Sequence, residues 1–264
     1  MIYERCAGVP QFECTEYSDK TKEYVLLIPI INEGDRITKE LKRAQDNKVS
    51  EYADIVICDG GSTDGCTEEN TLKSLDVNTL LVKQDAGKQG AQLRMGISWA
   101  LNRGYKGIIT IDGNNKDSIE DVPRFIGKLE EGYDFVQGSR FVKGGKAVNT
   151  PFVRLVSVKL IHAPIISFTA HHRFTDTTNA YRAYSRRYLT DERVQPLRDI
   201  FMTYELLAYL SVRATQIGMR ACEIPVTRAY PKVGKTPTKI SFFKGNSELM
   251  KILIKNARGA YNPQ

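Results

Sequence analysis

Three short apolar runs that end abruptly in polar residues, Tyr24 to Ile31 (YVLLIPII), Ala53 to Cys58 and Gly107 to Ile111, and a further strand-like stretch, Val77 to Val82, divide the first half of the chain. Continuous apolar runs of this length, rich in β-branched residues, predict strands covered on both faces, as in a parallel sheet. Between them lie segments with apolar residues at helical spacing, Ile37, Leu41 and Ala44 in one and Leu93, Ile97, Ala100 and Leu101 in another. The alternation of strand and helix predicts an α/β domain with right-handed crossovers. Residues 1–22 show no period and are expected to form an N-terminal arm or poorly ordered tail. A last helix is expected from about Ser241 to Asn256, with Phe242, Leu249, Ile252 and Leu253 near one face and Lys244, Lys251 and Lys255 alongside. Such a helix either lies at a membrane interface or docks on the domain.

Open α/β sheets bind ligands at the carboxyl ends of their strands, so the residues after each run carry the candidate chemistry. They are Asn32-Glu33-Gly34-Asp35, Asp59-Gly60-Gly61-Ser62-Thr63-Asp64-Gly65, Asp85-Ala86-Gly87-Lys88-Gln89-Gly90 and Asp112-Gly113-Asn114-Asn115-Lys116-Asp117-Ser118. Glycine lets backbone approach a ligand closely, and glycines with a lysine ahead of a helix N-terminus suit an anion. Two classes are disfavoured. Gly60-x4-Gly65 is followed by Cys66 rather than lysine, so it is not a Walker-type phosphate loop. No GxGxxG follows the first strand, against a nicotinamide or flavin site.

A hydrophobic fraction of 41% with 26% charged residues is that of a soluble globular chain. No apolar run approaches the roughly 20 residues that span a bilayer, and no basic-then-apolar signal pattern opens the chain. The expectation is a cytoplasmic protein, free or peripheral on the cytoplasmic membrane face. Five cysteines without a CxxC pair fit reduced thiols. The net charge of +7 is localised: residues 228–258 hold eight basic side chains and one acid, leaving thirty of each sign elsewhere. That balance predicts an anionic partner for the C-terminal segment, such as a phosphate, a lipid surface or a nucleic acid.

The ordered segments YVLLIPIINEGDRI, IVICDGGSTDG, AGKQGAQLRMGISWA and ITIDGNN resemble the successive motifs of inverting family-two glycosyltransferases, which bind nucleotide sugars on a GT-A fold. VQGSRFVKGG, FTDTTNAYRAYSRRYL and ACEIPVTRAY, with the basic segment after them, are similar to dolichol- or polyprenyl-phosphate sugar transferases. The resemblance covers roughly residues 22–256. It implies a GT-A-like, Rossmann-like, mainly parallel sheet flanked by helices over 23–258, with a basic C-terminal helix. The nucleotide-sugar half would be 23–137 and the acceptor half 138–258, with 259–264 as a tail.

The resemblance also implies roles. Pro29, Glu33 and Asp59 would hold base and ribose, with Lys88, Arg94, Asp112 and Gly113 at the nucleotide pocket. Asp112 and Asn114 stand at the DxD motif that holds Mg²⁺ or Mn²⁺ on the diphosphate. The chain departs from the family pattern at Gly60, which replaces an acid, and at Asn114. An amide oxygen coordinates without bringing charge, so metal binding without nucleotide should be weak. Asp117 is an alternative second carboxylate, or else a helix-start residue. Asp112, Asp176, Arg140 and Glu205 are the expected catalytic residues; Asp176 or Glu205 would be the base if the acceptor is a hydroxyl. Arg140, Arg154, Arg182, Arg228, Lys235 and Lys239 would meet the acceptor phosphate or the leaving diphosphate.

The expected activity is inverting transfer from a UDP- or GDP-sugar to a polyprenyl phosphate. Transfer to a saccharide hydroxyl stays open, as does a catalytically silent nucleotide-sugar binder. An anionic membrane surface is a candidate partner, nucleic acid is not expected, and an oligomer stays open.

Overall fold

The computed structural model describes residues 1–3, 6–231 and 242–263, with residues 242–246 described by their backbone alone. The strands are β1 (Ile2–Tyr3), β2 (Phe12–Glu16), β3 (Tyr24–Ile30), β4 (Asp54–Asp59), β5 (Val77–Lys83), β6 (Gly107–Thr110), β7 (Phe135–Ser139), β8 (Lys146–Val148), β9 (Arg182–Ser185), β10 (Ala221–Pro225) and β11 (Thr227–Ala229). The helices are α1 (Asp35–Asp46), α2 (Glu69–Ser74), α3 (Gln89–Asn102), α4 (Val122–Glu130), α5 (Phe152–Ser157), α6 (Ala163–Ala170), α7 (Arg186–Thr190), α8 (Glu205–Gln216) and α9 (Phe242–Ala257). A π-helical turn, Val158–His162, joins α5 to α6.

Among the described residues one sheet has the strand order β1-β2-β5-β4-β3-β6-β9-β7-β10. β5, β4, β3 and β6 run parallel, as the apolar runs predict. β9 is inserted antiparallel between β6 and β7, and β10 lies parallel to β7 at the edge. β8 and β11 form a separate parallel pair. In β3, Val25 and Leu27 face one core and Leu26, Ile28 and Ile30 the other, all at most 2% exposed. α3 and α8 cover the first face, α1 and α4 the second. Strand side chains alternate between faces, so a strand covered on both sides has no polar position to offer. Pro29 fits because pairing with β6 stops at Leu27, leaving only the β4 side in register at Pro29.

One expectation is corrected and one open alternative is decided. The opening residues are not a loose arm: β2 pairs antiparallel with β5 along its whole length. Phe12 and Cys14 are buried while Glu13, Thr15 and Glu16 face water, an alternation too short to stand out in the chain. The last helix takes the docked alternative, with Ile252, Leu253 and Asn256 buried and α6 and α8 packed against it.

Candidate functional site

The tips of β4, β3 and β6 are adjacent, and the loops that leave them are tied together. Ser62 accepts from the Asn32 N–H (2.9 Å), Asn32 Oδ1 accepts from the Thr63 N–H (2.8 Å), and Asp64 accepts from the Gly34 N–H (2.8 Å). Gln92 Nε2, on the first turns of α3, donates to the carbonyls of Ile30 (2.6 Å) and Cys58 (2.8 Å) and so links the two strand ends. Gly113 closes the third loop down on β3. A Cβ there would lie 2.4 Å from Ile30 Cγ2 and 3.0 Å from Ile28 Cγ2, so only glycine allows this approach. Asn115 then takes φ 55°, a conformation asparagine tolerates, and its N–H bonds Glu40 Oε2 at 2.7 Å. Glu40 itself is fully buried, and burial drives its carboxyl well above the usual range.

Arg228, on β11 and 5% exposed, is the centre of the site. Its Nη2 lies 3.1 Å from Asp112 Oδ2, and its Nη1 donates to Asp117 and, at 3.3 Å, to Asn179 Oδ1. Gln89 Nε2 donates to the other oxygen of Asp112 at 2.8 Å. Burial opposes the charged form of Asp112, yet Arg228 and Lys116 hold its carboxyl below the usual range. Asp117 is fully buried, and that burial raises its carboxyl despite Arg228. Lys116 is 5% exposed, and burial, with Arg228 adding to it, lowers its ammonium to about 8. Its Nζ lies 5.2 Å from the centre of the Tyr230 ring. Burial raises the Tyr230 phenol, but Arg228 and Arg154 outweigh it and bring it to about 8. Arg154 Nη1 donates to Tyr230 Oη at 2.8 Å.

The donor set facing this cluster is all oxygen, which suits Mg²⁺ or Mn²⁺ rather than a soft metal. Asn114 Oδ1 and Asp117 Oδ1 are buried with no hydrogen-bond partner among the described residues. Unpaired buried oxygens are costly, so these two, in the same loop as Asp112, fit a cation better than they fit the present arrangement. Among the described residues no group of three or more His, Cys, Asp or Glu side chains is assembled for a metal, so phosphate oxygens would have to complete the shell.

The profile of the family described as "Glycosyl transferase family 2" matches residues 25–192, more than half of the chain. The chain belongs to glycosyl transferase family 2. This transferase is 27% identical over 217 residues to a polyprenol monophosphomannose synthase of Mycolicibacterium smegmatis, covering 81% of this chain and 80% of that one. It is 29% identical over 220 residues to an undecaprenyl-phosphate mannosyltransferase of Micrococcus luteus, covering 80% and 85%. Its fold matches the crystal structure of glucosyl-3-phosphoglycerate synthase from Mycobacterium tuberculosis in complex with Mn²⁺, UDP-glucose and phosphoglyceric acid. That likeness has a TM-score of 0.62 at 15% identity, over 89% of this chain and 79% of that one.

Within the transferase the expected site residues divide sharply. Asp112, Gly113, Asn114, Asp117, Arg228 and, through Tyr230, Arg154 converge. Glu33 and Asp59 stand on the neighbouring tips, each already engaged. Glu33 pairs with Arg36 at 2.8 Å, and Asp59 accepts from the N–H groups of Gly61 (3.0 Å) and Ser62 (2.8 Å), shaping its own loop. Lys88 caps α3 at the exposed rim, beside Gln89.

Four residues depart from expectation. Arg94 is 2% exposed and donates to the carbonyls of Gly8 and, at 3.0 Å, Phe201, so it ties the N-terminal turn to the segment before α8 rather than lining a nucleotide pocket. Arg182, at 1% exposure, donates to the carbonyls of Thr177, Asn179 and Leu207 and offers nothing to a phosphate. Glu205, the first residue of α8, accepts from the Thr203 N–H (2.6 Å) and hydroxyl (2.8 Å) and so fixes the turn that leads into the helix. Asp176 is fully buried and held by Arg140 at 2.6 and 2.8 Å, a bidentate pair that leaves no basic oxygen for a substrate. Lys235 and Lys239 lie outside the described residues.

Gln89, Lys116, Tyr230 and Glu40 belong to the site without having been singled out. Lys116 could have been read from its place between Asn114 and Asp117. Glu40 and Tyr230 sit on α1 and after β11, and nothing local ties either to the β6 tip.

Proposed function

We propose that this glycosyltransferase moves a sugar from a UDP- or GDP-sugar to a polyprenyl phosphate with inversion at the anomeric carbon. The observation that carries this reading is the state of the two candidate bases. Asp176 is locked by Arg140 and Glu205 by the start of α8, while cations crowd the same side of the sheet. A hydroxyl acceptor must surrender a proton to a carboxylate, whereas a phosphate monoester is already ionised at neutral pH and needs only charge to receive it. The names of the two relatives, a polyprenol monophosphomannose synthase and an undecaprenyl-phosphate mannosyltransferase, support the same acceptor class.

In this scheme an acceptor phosphate oxygen attacks the anomeric carbon, the bond to the donor diphosphate breaks, and the nucleoside diphosphate leaves with the electron pair. Charge grows on the departing diphosphate, so preorganised cations facing it supply the main stabilisation. Asp112 and Asn114, with Asp117 if Arg228 releases it, are the residues that would hold Mg²⁺ or Mn²⁺. The ion would act as a Lewis acid on the diphosphate. Arg228, Lys116 and Arg154 receive phosphate oxygens. Arg140, whose Nη1 is buried with no partner among the described residues, contributes field from behind while orienting the 176–179 turn through Asp176.

The test is nucleotide release from UDP- and GDP-sugars, with Mn²⁺ or Mg²⁺, comparing a polyprenyl phosphate, the matching polyprenol and free saccharides as acceptors. Turnover confined to the phosphate is expected. Equal turnover with a saccharide hydroxyl, or nucleotide binding without turnover on any acceptor, would overturn the reading.

A further inference from the structure

Residues 152–170, comprising α5, the π turn and α6, form a continuous helix of 19 residues that is by length and composition apolar enough to cross a membrane, contrary to the expectation that no stretch of the chain approaches this. Only Val158, His162, Ala163, Ile166, Thr169 and Ala170 in it are buried. Its inner side is held by protein: Thr215 Oγ1 donates to the Ala170 carbonyl (2.6 Å), Gln216 Nε2 donates to that of Thr169 (2.9 Å), and α8 and α9 pack against α6. A helix docked this way on a water-facing domain should turn polar residues outward. This one turns apolar residues outward as well as inward. Phe168 is 81% exposed, Phe152 76%, Leu160 71% and Val153 57%, while His162 and Thr169 are among the residues turned in.

Charge narrows what covers that face. Residues 141–175 contain five basic side chains, all three histidines of the chain and no Asp or Glu. Lys143, Lys146, Lys159 and Arg173 are exposed. A second copy of the chain would set these cations against themselves, which disfavours pairing. An apolar strip bordered by cations matches an anionic bilayer surface, where rings enter the acyl boundary and lysines meet headgroups. The face is also continuous with the site, since Arg154 on the first turn bonds Tyr230 at 2.8 Å.

We propose that the outward face of residues 152–168 lies flat in the interface of an anionic bilayer, with Phe152, Leu160 and Phe168 inserted and Lys159 on the headgroups. This deepens the acceptor reading and rests on it only for the purpose of docking: a lipid phosphate would reach Arg154 and Arg228 from the membrane side without leaving the bilayer.

The experiment is co-sedimentation of the full chain with phosphatidylcholine vesicles with and without phosphatidylglycerol. The wild type should bind the anionic vesicles. Leu160→Glu with Phe168→Glu should weaken that binding by about tenfold or more, with the unfolding midpoint and turnover on a short-chain, water-soluble polyprenyl phosphate unchanged. Lys159→Glu should reduce binding to the anionic vesicles alone. Ile254→Glu, at a 44% exposed position on α9, should leave vesicle binding as it was. Undiminished binding by the double variant overturns the proposal, as does loss through Ile254→Glu instead. Self-association of a wild type that ignores vesicles, abolished by the double variant, also overturns it. Docking that depends on these residues in a protein that never glycosylates a lipid phosphate would uphold the face and refute the acceptor, so the two readings fail separately.

Discussion

Arg182 and Arg228 are both buried, at 1% and 5% exposure, and both approach Asn179, yet they meet different partners. Arg182 is saturated by the main-chain carbonyls of Thr177, Asn179 and Leu207, which hold fixed positions whatever is bound. Arg228 is held by the side chains of Asp112 and Asp117, which are themselves good ligands for a hard cation. A carbonyl clamp can only be satisfied or broken. A carboxylate pair can be handed from a guanidinium to a metal ion, freeing the guanidinium for phosphate. The first arginine fastens β9 to α8, and the second, in the proposed mechanism, would hold the donor site ready.

The largest effect falls on the carboxylate that both Arg228 and a metal would use. Asp112→Ala should lower turnover by about 10³-fold, roughly 4 kcal/mol of transition-state stabilisation, measured as nucleotide release, with the fold intact by circular dichroism. An unchanged rate would remove Asp112 from the donor site. Next, Arg182→Met and Arg228→Met should each cost about 3 kcal/mol in urea denaturation, the first by orphaning carbonyls and the second by leaving Asp117 buried and unpaired. Mn²⁺ should restore stability to Arg228→Met and do nothing for Arg182→Met. Equal behaviour of the two would erase the distinction.

Smaller effects sharpen the picture. Asn114→Asp adds a charge to the candidate shell and should tighten Mn²⁺ binding in the absence of nucleotide by about tenfold; no change would turn Asn114 away from the ion. The pH dependence should be smallest. Below about 8 the Tyr230 phenol is neutral, and above it the phenolate adds a negative charge beside Lys116, Arg154 and Arg228. Affinity for an anionic nucleotide should therefore fall as pH rises through 8, by about threefold to tenfold. Lys116, whose ammonium is also lowered to about 8, loses its charge over the same range, so Tyr230→Phe should remove only the tyrosine's share of the slope, and an unchanged slope would assign the titration to Lys116.

The sheet was legible because β3, β4, β5 and β6 are covered on both faces, so their sequences are predominantly apolar, although β5 carries buried Asn78 and Thr79. β2 was not, since five residues with two buried positions are indistinguishable from a loop. The strand-tip carboxylates were legible through the sheet: once the strands are placed, Asp59 and Asp112 fall at their ends. The fate of each arginine was not. Arg228 meets Asp117 and Asp112 across 111 and 116 residues of chain, and Arg94 meets Phe201 across 107. Pairing at such separations is decided by tertiary packing alone, so a count of cations could not separate clamps from phosphate ligands. The outward apolar face of residues 152–170 was not legible for a related reason. α9 shows its apolar side because the domain covers it, whereas residues 152–170 are apolar on the side the domain leaves bare.

The most direct test of the donor site is calorimetric titration of UDP and GDP into the wild type and Asp112→Asn, each with Mn²⁺ and with a chelator. The wild type should bind one of the two nucleotides at least about tenfold more tightly with Mn²⁺, and Asp112→Asn should lose that gain. Binding of equal strength with and without the ion, in both proteins, would contradict a diphosphate held through a metal at the tips of β3, β4 and β6.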